Sequence, residues 1–158
     1  MHSAARVAAK GDVGVLVELY RAYRDCLEGE RGGTVYLAKD AVAEPLEPHF
    51  ESIIDDSGWL VLLGTFEEAP VGLATVRLDS VDDSSIFATV EVLYVDPEAR
   101  EVGVGEELAE AAALWATQQG ATGLDVPVLP GMRESKNFLE GSGFVARLLV
   151  MHKTLQAY

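Results

Sequence analysis

The amino-terminal part of the chain places its apolar residues at helical spacing. Four large side chains within Val13–Leu27 share one helix face, namely Leu16, Leu19, Tyr20 and Tyr23. Asp12 stands at the N-cap position of this helix, and Ala5–Ala9 before it has the character of a short edge strand. Pro48–Asp56 again shows helical spacing, whereas residues 30–44 lack periodicity and indicate a loop.

From Trp59 onward the pattern is typical of strands. Trp59–Thr65 and Val71–Leu78 flank the turn residues Glu-Glu-Ala-Pro, which predicts a hairpin. A second polar turn, Asp79–Ser84, leads into Ile86–Val95, a β-branched run expected of a strand buried on both faces. The pattern therefore predicts three antiparallel strands in succession.

The carboxy-terminal part mixes helices and strands. Leu108, Ala112 and Trp115 share one face of a predicted helix, and Gly120 is placed to cap its end. The elements expected in order are a helix over Gly105–Gln119, a strand over Leu124–Leu129, a helix over Met132–Glu140 and a strand over Phe144–His152. No repeat or long linker interrupts them, so we expect one α/β domain over residues 1–158.

Composition narrows the class of protein. A chain of 158 residues with 49% hydrophobic content suits one buried core. No segment reaches the roughly 18 consecutive apolar residues of a membrane helix, so we expect no membrane partner. The start of the chain lacks the apolar stretch of a secretory signal, and Cys26 is the only cysteine. These features favour a reducing compartment, and we expect a cytoplasmic protein.

The formal charge of -14 indicates which partners are excluded. Such a field repels a phosphate backbone, so nucleic acid is a poor candidate partner. The same field concentrates cations, which favours a positively charged amine as substrate. Solubility is the alternative explanation of an acidic surface.

One turn has the composition of an anion site. Arg100-Glu101-Val102-Gly103-Val104-Gly105 lies between the predicted buried strand and a helix. Glycines allow the backbone to approach a ligand, and the first N–H groups of a helix lack internal acceptors, so the turn suits a pyrophosphate. It is not a Walker loop, and Leu108 stands where a dinucleotide fingerprint requires its third glycine. A purely structural glycine turn is the alternative.

These residues resemble the cofactor motif of the GNAT superfamily of N-acetyltransferases, Arg/Gln-x-x-Gly-x-Gly/Ala. Arg100, Gly103 and Gly105 match it, Glu91–Glu98 looks like the fourth strand and turn of that family, and Gly143-Phe144 is similar to the end of its later helix. The resemblance implies a mixed, mostly antiparallel sheet flanked by helices. It also implies an enzyme that moves an acetyl or short acyl group from acetyl-coenzyme A (acetyl-CoA) to a primary amine by direct transfer.

The resemblance implies two groups of cofactor-binding residues. The pyrophosphate would lie on the turn and helix start, formed by Arg100, Glu101, Val102, Gly103, Val104, Gly105 and Glu106. Main-chain groups of Leu93, Tyr94 and Val95 would bind the pantetheine arm and polarise the thioester carbonyl. Three glutamates next to this turn, Glu101, Glu106 and Glu107, oppose a bound anion.

Glu91 is the candidate general base. An alkylamine with a pKa of about 10.4 arrives protonated and must lose a proton before it attacks. A carboxylate inside an apolar strand is costly unless it has a purpose, and the family often places Glu or His near this point. The alternative is a glutamate at an edge or against the substrate, without a proton-transfer role.

The sequence departs from the family on the later helix. Leu139 occupies the position of the tyrosine that protonates the thiolate, and Tyr94 and Tyr158 are conceivable substitutes. Met132 occupies the position of an asparagine that binds the pantetheine arm. Helical spacing leaves Ser135 as the polar group nearest the cofactor, with a helix-start cap as its alternative role. Arg133 and Lys136 are candidates for the 3′-phosphate or for solvated surface charge.

Other chemistry has little support in the sequence. His2, His49 and His152 lack metal-ligand spacing, so we expect no metal site. Cys26 has no paired histidine nearby in the sequence, so we expect no cysteine nucleophile. A coenzyme A-binding regulatory module without catalysis is the rival hypothesis, and a fold relative that binds nothing is a third. The acceptor stays open between small-molecule and peptide amines, and a homodimer is an open alternative.

Overall fold

The computed structural model describes residues 2–80 and 84–156 of the chain. Within these ranges, five strands and five helices follow the order β1 (Ser3–Val7), α1 (Val13–Glu28), α2 (Gly33–Lys39), α3 (Glu47–Ile54), β2 (Trp59–Phe66), β3 (Ala69–Ser80), β4 (Ile86–Val95), α4 (Val104–Gln118), β5 (Leu124–Asp125) and α5 (Arg133–Gly141). Short 3₁₀ turns precede α1 and follow β4.

The strands form one sheet in the order β1-β2-β3-β4-β5. The first four strands are antiparallel, and β5 runs parallel to β4. Apolar side chains cover both faces: α1 and α3 pack on one face, and α4 packs on the other. The mixed, mostly antiparallel α/β fold expected from the sequence is therefore confirmed.

A β-bulge interrupts β4 at Glu91. Val92 lies opposite Thr75 and Val90 lies opposite Val76, so Glu91 has no partner on β3. Before the bulge, Ala88 and Val90 belong to the core under α4; after it, Val92 and Tyr94 belong to the core under α1. Bulges of this kind re-aim side chains and occur near active sites.

Three sequence predictions differ from the structure. The expected loop over residues 30–44 contains α2, whose first residue, Gly33, leaves no room for a side chain beside the Leu27 carbonyl at the end of α1. The strand expected over Leu124–Leu129 is only two residues long, because its pairing with β4 ends at Asp125. The strand expected over Phe144–His152 does not form, and this segment has no ladder partner in the described chain.

Three further expectations concern two single residues and a turn. Asp12 stands before α1, but its carboxylate accepts the Ala9 N–H at 2.8 Å rather than capping the helix. Gly120 has φ +87 just after α4 and accordingly ends that helix as predicted. The turn expected over Asp79–Ser84 lies partly outside the described residues, because β3 continues to Ser80 and residues 81–83 are not described. Tyr158 also lies outside them.

Candidate active site

The turn after β4 presents a helix start without a side-chain cap. Asp96 first caps a 3₁₀ turn by accepting the Glu98 N–H at 2.9 Å. The chain then passes through Glu101 and Gly103, which have φ +69 and φ +93, and α4 begins at Val104. No side chain caps α4 among the residues that the structure describes. The first N–H groups of α4 and the positive end of its dipole are therefore available to an anion.

Gly103 is required by its backbone conformation and by the space around it. Its φ of +93 is unfavourable for residues with a Cβ, and a Cβ there would lie 3.0 Å from the Ser3 hydroxyl oxygen. Gly105 is different, since a Cβ there would meet only ordinary contacts at 3.8 Å, to Val95 and Phe138. This tolerance agrees with a motif that allows alanine at the second position.

Two glycines on the sheet fix where α4 begins. Gly64 on β2 and Gly72 on β3 lie opposite each other in the ladder. A Cβ on Gly64 would lie 2.5 Å from Val104 and 3.0 Å from Leu108, and a Cβ on Gly72 would also crowd both side chains. The absence of side chains on these strands lets the first turn of α4 lie directly against the sheet.

The sheet opens beside this turn. β4 pairs with β5 only at Ala88 and Thr89, so from Val90 to Val95 its ladder partner in the described chain is β3 alone. Main-chain groups of Leu93, Tyr94 and Val95 therefore have no β5 partner in the described chain. The Cβ position of Gly105 lies 3.8 Å from both Val95 and Phe138, so the strand end, the start of α4 and α5 converge at one place.

Arg100 secures the turn rather than standing free. Its Nε donates to the Val95 carbonyl at 3.1 Å, and its guanidinium lies 3.9 Å from the carboxylate of Glu134 on α5. Glu101, Glu106 and Glu107 are exposed around it. The turn from Arg100 to Gly105, here called the cradle, thus offers backbone N–H groups and a helix dipole within an acidic surrounding.

The Glu91 carboxylate lies on the α1 side of the sheet and is held by Arg77. The guanidinium of Arg77, on the neighbouring strand β3, donates to Glu91 and also binds Asp79 at 2.9 Å. Asp79 in turn accepts the Thr89 hydroxyl at 2.6 Å. The side chains of Arg77, Asp79 and Glu91 are each about one third exposed, so the group is accessible to solvent.

A cluster of tyrosines lies on the same side of the sheet. Tyr94 packs edge-to-face on Tyr23, whose hydroxyl lies 3.1 Å from the Tyr36 hydroxyl. Burial, with Cys26 and Asp96 nearby, raises the pKa of Tyr94 to about 12. A thiolate has a pKa near 8.5, so proton donation from Tyr94 would be uphill. The side chain of Tyr94 accordingly fits a structural role.

Helix α5 brings its apolar side inward. Leu139, where the family places a tyrosine, is 5% exposed. Met132 occupies the N-cap position and packs on the core under α1. Ser135 is half-buried in the first turn and is not the cap of this helix, while Lys136 pairs with Glu140 at 2.6 Å.

The described residues contain neither a metal-binding cluster nor a membrane-spanning helix. Within residues 2–80 and 84–156, no three His, Cys, Asp or Glu side chains are grouped so that they could hold a metal ion. In the same ranges no helix has the length and apolarity needed to cross a bilayer.

The fold is that of an acyl-transferring α/β enzyme. The sequence profile described as "Acetyltransferase (GNAT) family" matches residues 16–144. The chain belongs to the GNAT family of acetyltransferases. The match begins within α1 and ends at Phe144.

Solved structures with the same fold share little sequence with this chain. An aminoglycoside acetyltransferase from an uncultured soil metagenomic sample, in complex with trehalose, is 16% identical, covers 99% of this chain and 97% of its own, and has a TM-score of 0.73. A ribosomal-protein-alanine N-acetyltransferase from Brucella melitensis is 13% identical, with 98% and 100% coverage and a TM-score of 0.72.

A third structure carries a cofactor analogue. The enzyme AAC(6')-Iy, in complex with the bisubstrate analog CoA-S-monomethyl-acetylneamine, is 21% identical, with 99% and 100% coverage and a TM-score of 0.70. A search of curated protein sequences finds no significant match. At these identities the structural neighbours establish the fold alone.

The structure brings most of the predicted residues together in the sheet-turn-helix region. Arg100 donates to the Val95 carbonyl, and Gly105 lies against the Val95 side chain at the end of β4, while Glu91 lies at the bulge earlier on the same strand. Sequence reasoning missed Arg77, Gly64 and Gly72. A signal for Arg77 exists, since a lone cation in an apolar strand is commonly paired with an acid on the adjacent strand.

Proposed function

We propose that this protein transfers an acetyl or short acyl group from acetyl-CoA to a primary amine within a ternary complex. The convergence at Gly105 of the uncapped α4 start, the Val95 end of β4 and α5 carries the proposal. When bound, acetyl-CoA supplies the acyl group as a thioester. Backbone N–H groups of residues 102–106 would hold its pyrophosphate, main-chain groups of Leu93–Val95 its pantetheine arm, and Ser135 is the nearest hydroxyl on α5.

In this proposal Glu91 is the general base and Arg77 positions it. Neither residue is deeply buried, so a water can lie between the carboxylate and an incoming ammonium group. Arg77 is shared by two carboxylates, and the local charge with Asp79 stays negative, which suits a cationic acceptor. The amine class is supported by the overall charge of -14 and by neighbours named as aminoglycoside and ribosomal-protein acetyltransferases.

A coenzyme A-binding regulatory module is the second candidate. Leu139 is a buried apolar side chain where the family acid is expected, and the turn carries three glutamates. A thiolate of pKa about 8.5 is a tolerable leaving group, so water could supply the proton and catalysis does not require that acid. We therefore rank the enzyme first.

Calorimetry with acetyl-CoA, followed by a thiol-release assay over a panel of amines, tests the proposal. We expect saturable binding of acetyl-CoA and thiol release that depends on at least one amine among aminoglycosides, polyamines and peptide amino termini. Binding without release on any of them would favour the regulatory module. The absence of binding at millimolar acetyl-CoA would overturn both candidates.

A further inference from the structure

Asp125 on β5 lies on the same face of the sheet as the candidate base Glu91. In the ladders, Thr89 lies opposite Arg77 on β3 and beside Asp125 on β5, so these three residues form one row across three strands. Leu124, the residue before Asp125, packs on the core under α4, so the Asp125 side chain lies on the α1 side. Thr89 lies two residues before Glu91 and therefore on that side as well.

The spacing of the strands places Asp125 within reach of a small molecule that is bound at Glu91. Neighbouring strands lie about 4.8 Å apart, and two residues along a strand span about 6.6 Å. Positions 91 and 125 are one strand and two residues apart, which corresponds to a separation of about 8 Å. Leu93–Val95, the proposed position of the pantetheine arm, lies on the other side of Glu91 along β4. Asp125 therefore lies on the side of Glu91 that faces away from the thioester.

The Asp125 carboxylate already holds a cation that belongs to its own chain. The Nε of Arg147 donates to one carboxylate oxygen at 2.7 Å, and its Nη2 donates to the other oxygen. These hydrogen bonds lower the pKa of Asp125 below its usual value, so the carboxylate is ionised at neutral pH. The contact is bidentate, the geometry in which a carboxylate recognises a planar cation most specifically. Asp125 is therefore a formed cation-binding residue beside the candidate base.

Arg147 is held in a way that allows another cation to replace it. The side chains of Arg147 and Asp125 are 65% and 38% exposed, and exposed ion pairs contribute little to stability because water screens them. No backbone hydrogen bond joins residues 145–156 to another described residue. Arg147 can therefore leave Asp125 without disrupting the sheet.

The charges on this face match an acceptor that carries more than one positive group. Arg77 is shared by Glu91 and Asp79, so it does not neutralise Asp125 as well. Once Arg147 has left, these three carboxylates exceed the one guanidinium by two charges. A molecule with one ammonium group compensates half of this excess, whereas a molecule with two cationic groups compensates all of it.

We propose that Asp125 determines the acceptor specificity by binding a second cationic group of the acceptor, which displaces Arg147 while the reacting amine lies at Glu91. This inference rests on the acyl transfer proposed above. Among the amines left open, it selects small molecules with two cationic groups roughly 8 Å apart, a chemistry that linear polyamines and aminosugars share. A peptide amino terminus without a nearby basic side chain lacks the second group and is a poor acceptor.

Cadaverine and pentylamine are matched acceptors for the kinetic test, because they differ only in the second amino group. We expect Asp125→Asn, which keeps the size of the side chain, to lower the ratio of kcat/KM for cadaverine to that for pentylamine at least tenfold. Arg147→Gln should lower the KM for cadaverine several-fold, because it removes the competing cation. The control is Asp55→Asn, which removes the same charge from an exposed carboxylate that is paired with Lys10. An unchanged ratio in Asp125→Asn, or an equal fall in Asp55→Asn, overturns the proposal, and an unchanged KM in Arg147→Gln contradicts the displacement.

Calorimetry separates a failure of this inference from a failure of acyl transfer. Cadaverine and a diamino sugar are each titrated into wild type and Asp125→Asn at millimolar coenzyme A, and the tighter ligand distinguishes polyamines from aminosugars. We expect Asp125→Asn to bind the preferred diamine at least tenfold more weakly, with an unchanged circular dichroism spectrum. Such binding without thiol release from any amine would refute acyl transfer and retain the role of Asp125. Thiol release with equal affinities in the two proteins, or with no binding of either diamine to wild type, would retain acyl transfer and overturn that role.

Discussion

Arg77 and Glu91 are joined across two adjacent strands, and Asp79 binds the same guanidinium. The alternation of β4 before the bulge places Glu91 on the α1 side together with Thr89, and the bulge leaves Glu91 without a ladder partner on β3. The pair therefore joins Glu91, the base predicted from the sequence, to Arg77, which sequence reasoning missed.

Glu91→Gln tests the proposed base. We expect kcat to fall about 10²- to 10⁴-fold on an active amine, as for loss of a general base, with acetyl-CoA affinity nearly unchanged. Asp79→Asn is the matched control, since it alters the same cluster but leaves the Glu91 carboxylate. Wild-type rates for Glu91→Gln at every pH would refute the assignment.

Arg77 should act through the position of Glu91. Arg77→Met is expected to lower kcat while leaving the KM for acetyl-CoA close to its normal value. Arg77→Lys keeps the charge but loses the planar fork, so it should restore part of the rate. Steady-state kinetics on the three proteins measure this, and equal rates for all three would show that Arg77 has no positioning role.

Gly103 and Gly120 form a natural pair at the two ends of α4. Both have positive φ, +93 and +87, so alanine at either position should cost about 1–2 kcal/mol of unfolding free energy. Only Gly103 lies in the proposed cradle, and we expect acetyl-CoA affinity to fall for Gly103→Ala alone. Calorimetry measures the acetyl-CoA affinity of each variant, and chemical denaturation measures its unfolding free energy. Equal acetyl-CoA affinities in both variants would argue against the cradle.

Gly64 should determine how closely α4 packs against the sheet. Gly64→Ala places a Cβ 2.5 Å from the Val104 side chain, which is 1% exposed and cannot swing into solvent. We expect a loss of about 1–3 kcal/mol, the range for overpacked cores, together with weaker acetyl-CoA binding. Adding Val104→Ala makes room, so the double variant should be more stable than the sum of the single changes predicts. Strict additivity in denaturation would contradict the close contact.

Acid stability should depend on Asp12. Hydrogen bonds from Arg6 and then from the Ala9 N–H lower the pKa of Asp12 from 3.8 to about 2. A pKa below its unfolded value stabilises the protein above about pH 4, and this contribution is lost as the pH falls toward 2. Asp12→Asn should therefore be less stable than wild type at pH 7, with the difference shrinking as the pH falls from 4 to 2. A constant difference would contradict the ionic origin.

Much of the fold follows from local patterns in the sequence. The strands from Trp59 to Val95 and the helix after Gly103 have clear periodicity, and both formed with bounds close to those predicted. α2 was missed because Gly32 and Gly33 resemble a turn, whereas Gly33 is required where α2 meets the end of α1. The strand at Phe144–His152 was expected from composition, but in the described residues this segment forms no ladder with β5, although Arg147 contacts Asp125 on that strand.

The candidate site, like the fold, could be predicted from the sequence only where its requirements are local. The glycine turn can be identified from the sequence because its backbone requirements are local. The contact of Arg77 with Glu91 depends on register, and a bulge cannot be derived from the composition of β4. Gly64 and Gly72 contribute by making room for α4, which becomes visible only once that helix lies on them.

The bulge also means that β4 changes phase midway. Even-numbered residues face α4 up to Val90 and face α1 from Val92 onward. Deleting Glu91 would therefore join Val90 directly to Val92 and restore one uninterrupted alternation, with Tyr94 still on the α1 side. The extra residue of this strand thus adds one carboxylate to the α1 side without changing which layer its neighbours face.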